Sequence, residues 1–297
     1  MITVGKTAFI FPGQGSQHVG MGDELISDSR VKPLFEKAGE VMGFDLRRLM
    51  LEGPEEKLNS TENAQPAIFT DSIARYKILV DENVIPDSLL GHSLGEFSAV
   101  VAGGCITFEQ GIRLVKRRGE LTGNVNVEGS MVAVLGVEYS KVEEIVNELE
   151  FPVTVANYNS PKQVVISGKE EDLTRSCKKL RGESAKCIRL DVTGPFHSPF
   201  MKDAENELKA YINRYDFSDP KYPVLSGVSG EFERSGDGLQ KLLSQQMTHP
   251  VRWVDYVRSL SEFGVDNTVE VGPAATLTKL NKRIDPGIEG KRFDEVI

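Results

Sequence analysis

The sequence predicts an α/β protein in two unequal parts. The larger domain, residues 1–128 and 196–297, holds a central, mostly parallel sheet. A ferredoxin-like β-α-β-β-α-β subdomain is inserted at 129–195. Three observations carry this expectation. Short apolar runs bounded by Gly and Pro alternate with helical patterns in the first and last thirds, as βα units do. Residues 129–195 read instead as strand, helix, strand, strand, helix, strand. The chain has 297 residues, 39% hydrophobic and 27% charged, enough for a sizeable globular core.

Composition excludes several function classes. No apolar run approaches a membrane span. The start, Met1-Ile2-Thr3-Val4-Gly5-Lys6, has no cationic segment leading into an apolar stretch, so a cytoplasmic location is expected. Cys105, Cys177 and Cys187 lack metal-ligand spacing, and an odd count fits reduced thiols. No metal and no tightly held organic cofactor is expected. A net charge of −9 argues against wholesale nucleic-acid binding. An acidic partner would have to use a local patch, of which two stand out: Arg113/Lys116/Arg117, and Lys178/Lys179/Arg181 with Lys186 and Arg189.

In chain order, residues 7–11 are a buried strand running into Pro12-Gly13-Gln14-Gly15-Ser16-Gln17. That loop fails the dinucleotide pattern, because His18 stands where Gly is required. It suits a backbone and a Gln14 amide that approach a reacting carbonyl. Residues 21–58 read as amphipathic helix, broken at Gly53-Pro54. Gln65-Pro66-Ala67 opens the next helix, with Pro near its first position, and the helix runs to about residue 80. Gln65 can reach residues 91–95 if this helix packs beside them. As a helix-start polar residue it needs no such role.

Leu89-Leu90-Gly91-His92-Ser93-Leu94-Gly95-Glu96-Phe97 is a strand, a tight turn and a helix, and it fits G-x-S-x-G. This nucleophile elbow is what makes the larger domain hydrolase-like. A serine on a strained turn stands clear of the sheet, and the helix directs its free N–H groups at the site where an oxyanion forms. The helix from Thr107 carries Arg113, Lys116, Arg117 and Arg118. At 100° per residue Arg117 and Arg118 diverge, so one can point inward while the others stay solvated. Gly119 permits close approach of another backbone.

Within 129–195 the strands are expected at 130–135, 153–157, 163–167 and 186–190, with helices at 142–149 and 173–180 and a turn at Asn159-Ser160-Pro161. Further on come a strand at 223–226, a helix at 239–247, a helix at 253–263, a strand at 268–271 and a helix at 277–284. A serine nucleophile needs a base, and the chain has four histidines. His92 adjoins the serine and should splay away. His249 sits before Pro250 in a polar stretch. His18 follows the Gly-rich loop and stays a candidate. His197, held between Pro195 and Pro199, is the choice.

These pieces, with Asn157-Tyr158-Asn159-Ser160-Pro161, Phe196-His197-Ser198, Gln246, Pro250-Val251-Arg252-Trp253 and Glu270-Val271-Gly272-Pro273, follow one family's order across nearly the whole chain. The sequence resembles the malonyl-CoA:acyl-carrier-protein transacylases, including the discrete acyltransferases that serve polyketide synthases. The resemblance implies ping-pong transfer of a malonyl group from its coenzyme A thioester to the phosphopantetheine thiol of an acidic acyl carrier protein, with no nucleic-acid or membrane partner. It implies Ser93 as nucleophile and His197 as base, oriented by a backbone carbonyl matching Gln246. The N–H groups of Gln14 and Leu94 would form the oxyanion hole. Arg118 would bind the malonyl carboxylate, which suits a guanidinium fork in a closed pocket. Phe196 would exclude a 2-methyl branch, with His92 and Asn159 also on the substrate side. Thr122 stands where the family usually has Met, and Phe97 where Tyr is common. The rivals are an acyl hydrolase that clears stalled carrier proteins, a transacylase for another acyl-CoA, a generic serine esterase, and a non-catalytic carrier-binding subunit.

Overall fold

Residues 5–125 and 127–297 are described by a computed structural model, and their strands form two sheets. The strands are β1 (Lys6–Phe11), β2 (Ser88–Gly91), β3 (Gly129–Leu135), β4 (Val153–Ser160), β5 (Gln163–Lys169), β6 (Lys186–Arg189), β7 (Val224–Leu225), β8 (Phe232–Glu233), β9 (Val265–Glu270) and β10 (Glu289–Arg292). The central sheet has the order β10-β9-β1-β2-β7-β8 and is mixed. Its pairs are parallel except β7 with β8.

The apolar runs in β1 and β2 follow from burial on both faces. Phe9, Phe11 and Leu89 enter the core on one side, while Ala8, Ile10 and Leu90 enter the core on the other. Phe11 pairs with Gly91, and the His92 N–H donates to the Phe11 carbonyl at 2.9 Å. The loops after β1 and β2 therefore leave the same edge of the sheet side by side. Leu225 of β7 pairs with Leu90, so the chain after β7 emerges there too.

The second sheet is antiparallel, in the order β4-β5-β3-β6. Helices Tyr139–Asn147 and Glu170–Gly182 pack on one of its faces, over Val132, Val134 and Ile166. Met131, Ala133 and Val165 point to the other face, where Phe196 packs. Strand β4 is tied to the rest of the molecule by Tyr158 N–H to the Val251 carbonyl and Val251 N–H to the Ala156 carbonyl, each 2.8 Å.

Several expectations change. The helical stretch 21–58 is a 3-10 turn and three helices, Lys32–Met42, Leu46–Glu52 and Glu55–Asn59. Gly43, at φ 80°, breaks it where no break was expected, while Gly53, at φ 75°, ends a helix at the expected break. The next helix begins at Thr61, so Pro66 lies inside it and not at its first position. The β4–β5 turn is at 161–162, which leaves Asn159 on the strand. Residues 239–247 divide into helix Gly236–Leu243 and a 3-10 turn Gln246–Thr248. Strands β8 and β10 were not expected at all. No helix among the described residues is long and apolar enough to cross a membrane.

Candidate active site

The elbow is fixed by close backbone packing. A Cβ on Gly91 would lie 1.9 Å from the Gly95 carbonyl carbon, and one on Gly95 would lie 2.0 Å from the Phe11 carbonyl oxygen. Only glycine fits at either place. Ser93 itself is held at φ 53°, a left-handed conformation that L-residues adopt at a cost. Helix Gly95–Ala102 starts immediately after it.

His197 lies on the connection returning from β6 and is also at φ 53°. The Ser93 hydroxyl donates to its Nε2 at 2.7 Å. Its Nδ1 is 2.9 Å from the His249 carbonyl oxygen. A carbonyl only accepts, so Nδ1 carries the proton and Nε2 presents a lone pair to the serine. Burial first, and the Arg118 charge second, push the imidazole down to about 3. It is therefore neutral and able to take a proton at pH 7. The resemblance implied Gln246 as the orienting carbonyl. The main acceptor is instead His249, three residues on, and Gln246 adds a lesser backbone contribution. The 3-10 turn Gln246–Thr248 aims the His249 carbonyl at the ring.

Arg118 is the inward member of its cationic run and only 4% exposed. Gly119 allows helix Phe108–Gly123 to approach helix Thr61–Asp81, where a Cβ would lie 3.0 Å from the Glu62 Cα. The guanidinium then meets Gln65: Nη1 donates to Gln65 Oε1 at 2.8 Å. Nη2 donates to Ser93 Oγ at 3.0 Å and to Gln246 Oε1 at 3.1 Å. Burial lowers its pKa to about 10, with Glu96 pulling the other way, so it stays a cation. No ion pair engages Arg118 among the described residues. Glu96, 1% exposed, is one step removed: it accepts from the Gln246 side-chain amide and from the Gly227 N–H at 2.9 Å. Burial raises its pKa, against the Gly227 and Gln246 hydrogen bonds.

These groups open into a cavity of about 460 Å³ whose walls include Gln14, Leu94, Phe196, Asn159, Met131 and Met201. The N–H groups of Gln14 and Leu94 donate to no acceptor among the described residues. His92 turns away from Ser93, as expected: its Nε2 donates to Asn159 Oδ1 at 2.9 Å and its ring lies 5.6 Å from that of Trp253. Burial lowers its pKa, so it too is neutral. His18 is exposed and does not line the cavity. Among the described residues no group of His, Cys, Asp and Glu could hold a metal ion. Three parts of the site were not assigned from the sequence. Gln65 has two readings from the sequence, and the packing of helix Phe108–Gly123 on helix Thr61–Asp81 decides between them. Glu96 has a signal, the lone charge in an otherwise apolar helix. The His249 carbonyl has none, because a backbone acceptor leaves no trace in side-chain identity.

The acyl transferase domain model matches residues 8–285. The malonyl CoA-acyl carrier protein transacylase of Staphylococcus aureus (strain MSSA476) is 36% identical over 291 residues, 96% of this chain and 94% of that one. The polyketide biosynthesis protein ThaF of Burkholderia thailandensis is 39% identical over 286 residues, 95% of this chain but 24% of that protein, so the chain spans about a quarter of that relative's length. A solved malonyl-transacylase, in complex with its type II PKS acyl-carrier protein, is similar with a TM-score of 0.93 and 36% identity, over 97% of this chain and 95% of that one.

Proposed function

This chain belongs to the acyl transferase domain family, and from that membership we propose its reaction: a malonyl group passes from malonyl-CoA to the phosphopantetheine thiol of an acyl carrier protein, through an ester on Ser93. One observation carries the choice of acyl group. A buried guanidinium, with no carboxylate partner among the described residues, lies 3.0 Å from the serine oxygen. A neutral acyl chain gives that charge nothing to bind, whereas a malonyl carboxylate offers two charge-assisted hydrogen bonds.

The steps follow from the proton positions. Ser93 gives its proton to His197 Nε2 as Oγ attacks the thioester carbon. The N–H groups of Gln14 and Leu94 receive the oxyanion, and their lack of other partners supports this role. The C–S bond breaks and the leaving sulfur takes the proton from His197. In the second half the carrier thiol gives its proton to His197 and attacks the ester carbon, and Ser93 Oγ leaves and recovers the proton. The nucleophile, base and cation are all side chains of this chain, so the reaction needs no cofactor. Phe196 is on the cavity wall, and this supports a role in excluding a 2-methyl branch from the acyl group. The strand and helix order of 129–195, with sheet order β4-β5-β3-β6, supports reading it as a ferredoxin-like subdomain inserted in a hydrolase-like body of 1–128 and 196–297.

The test is intact-mass analysis after mixing with malonyl-, methylmalonyl- or acetyl-CoA. Malonyl-CoA should leave an adduct that Ser93→Ala abolishes and that a carrier protein discharges onto itself. Preferential acetyl loading would overturn the malonyl assignment. Discharge to water with carrier present would establish the hydrolase instead.

A further inference from the structure

We propose that Thr122 is a positioning residue for recognition of the acyl group's anionic tail, because its hydroxyl fixes which way round the Gln65 amide is held against Arg118. This rests on the reading that Arg118 receives a carboxylate. Thr122 is 3% exposed and sits one helical turn after Arg118. Its Oγ1 donates to the Arg118 carbonyl at 2.7 Å, with the Gly119 carbonyl at 3.1 Å. The hydroxyl proton is thereby committed to the helix, and only lone pairs face inward. Gln65 must then present its NH₂ group, and Nε2 donates to Thr122 Oγ1 at 3.1 Å. That leaves Oε1 facing Arg118 Nη1 at 2.8 Å. The flipped amide would set N–H against N–H at the guanidinium and oxygen against oxygen at Thr122.

The opposite side of the guanidinium uses the same device. Gln246 Nε2 donates to the Ser93 carbonyl at 2.9 Å and to the Glu96 carboxylate, so its Oε1 faces Nη2. Two neutral amide oxygens, each locked from behind by an acceptor, hold the cation without neutralising it. Its charge stays free for the ligand. Valine at 122 would fill much the same space but leave the Gln65 NH₂ buried without an acceptor and the amide free to rotate away from Arg118.

The experiment compares full-length Thr122→Val and Thr122→Ser with the parent, measuring Ser93 loading by malonyl-CoA and by acetyl-CoA. For Thr122→Val, malonyl kcat/KM should fall roughly tenfold, mostly through KM, and acetyl kcat/KM about threefold or less. Thr122→Ser keeps the hydroxyl and should stay within about twofold of the parent. If Thr122→Val does not fold, Thr122→Ala is scored by the same ratio. An unchanged malonyl-to-acetyl preference in the Val or Ala variant overturns the proposal, as does a Ser variant that fails like Val. A parent chain that malonyl-CoA does not load defeats the functional reading itself, a separate result.

Discussion

At the edge of the central sheet, β1 and β2 end in loops packed so closely that a Cβ at Gly95 would strike the Phe11 carbonyl. The residues that the antiparallel sheet turns toward the same cavity, Met131, Asn157 and Asn159, are ordinary side chains on pleated strands. The body supplies Ser93, Arg118, Gln65 and Gln246, every one of them bonded to another member of the set. The second sheet supplies a wall and one hydrogen bond, Asn159 to His92. Chemistry that needs atoms held to a fraction of an ångström thus sits where backbone packs on backbone.

The largest effect expected from this contrast is on stability. Gly95→Ala puts a methyl into a backbone carbonyl that cannot retreat without separating β1 from β2. The cost should exceed about 3 kcal/mol. Asn159→Ala, on the second sheet, should cost about 1 kcal/mol, the usual value of one hydrogen bond. Urea titration of both variants tests the difference, and equal losses would break the comparison.

Next in size is Arg118→Ala. Each charge-assisted bond to the malonyl carboxylate is worth roughly 1.5–3 kcal/mol, so malonyl kcat/KM should drop about 10- to 100-fold or more. Acetyl loading should be largely spared. A parallel loss for both thioesters would make Arg118 a structural ion and move anion recognition out of the body.

The pH dependence comes third. The His197 imidazole is held at about 3 in the folded protein, below its ordinary 6.5, so the unfolded chain binds the extra proton between those values. Stability from this group is complete above the unfolded value and is lost as pH falls from there toward 3, by at most about 1.4 kcal/mol per pH unit. Glu96, whose pKa is raised, acts with the opposite sign, so the measured quantity is the difference between the parent and His197→Gln. The variant should show the flatter acid limb. Loading of Ser93 in the parent should stay level down to about pH 5 instead of falling near 6.5.

How much of this was legible in the sequence follows from how each feature is encoded. The elbow was, because its glycine spacing is a steric requirement written in residue identity. The pairing of His197 with Ser93 was, because four histidines leave few imidazoles to choose from. Periodicity brought one of Arg117 and Arg118 inward without saying which. The packing of Gly119 on helix Thr61–Asp81 decides for Arg118. The break at Gly53-Pro54 was legible, whereas the one at Gly43 was hidden because apolar spacing continues through it. Strand β10 was hidden because Glu289-Gly290-Lys291-Arg292 has no apolar alternation and is held by backbone pairing to β9.

The smallest expected effect concerns how the carrier protein arrives. The first basic cluster is largely spoken for: Arg113 pairs with Glu109 at 2.7 Å, and Arg117 with Glu207 at 2.7 Å and Glu120 at 3.2 Å. Lys116 donates to the Val41 carbonyl at 2.9 Å. On helix Glu170–Gly182 of the second sheet, Lys178 and Lys179 are exposed, and neither is in an ion pair among the described residues. Their field is available to an acidic carrier approaching from that side, and exposed charges act on encounter more than on the bound state. Reversing both to Glu should slow malonyl transfer to the carrier a few-fold at low salt, with the effect fading by about 0.5 M salt as screening sets in. Loading of Ser93 should change less, because the substituted residues lie outside the cavity wall. A transfer rate unaltered at low salt would remove this cluster from the account of carrier docking.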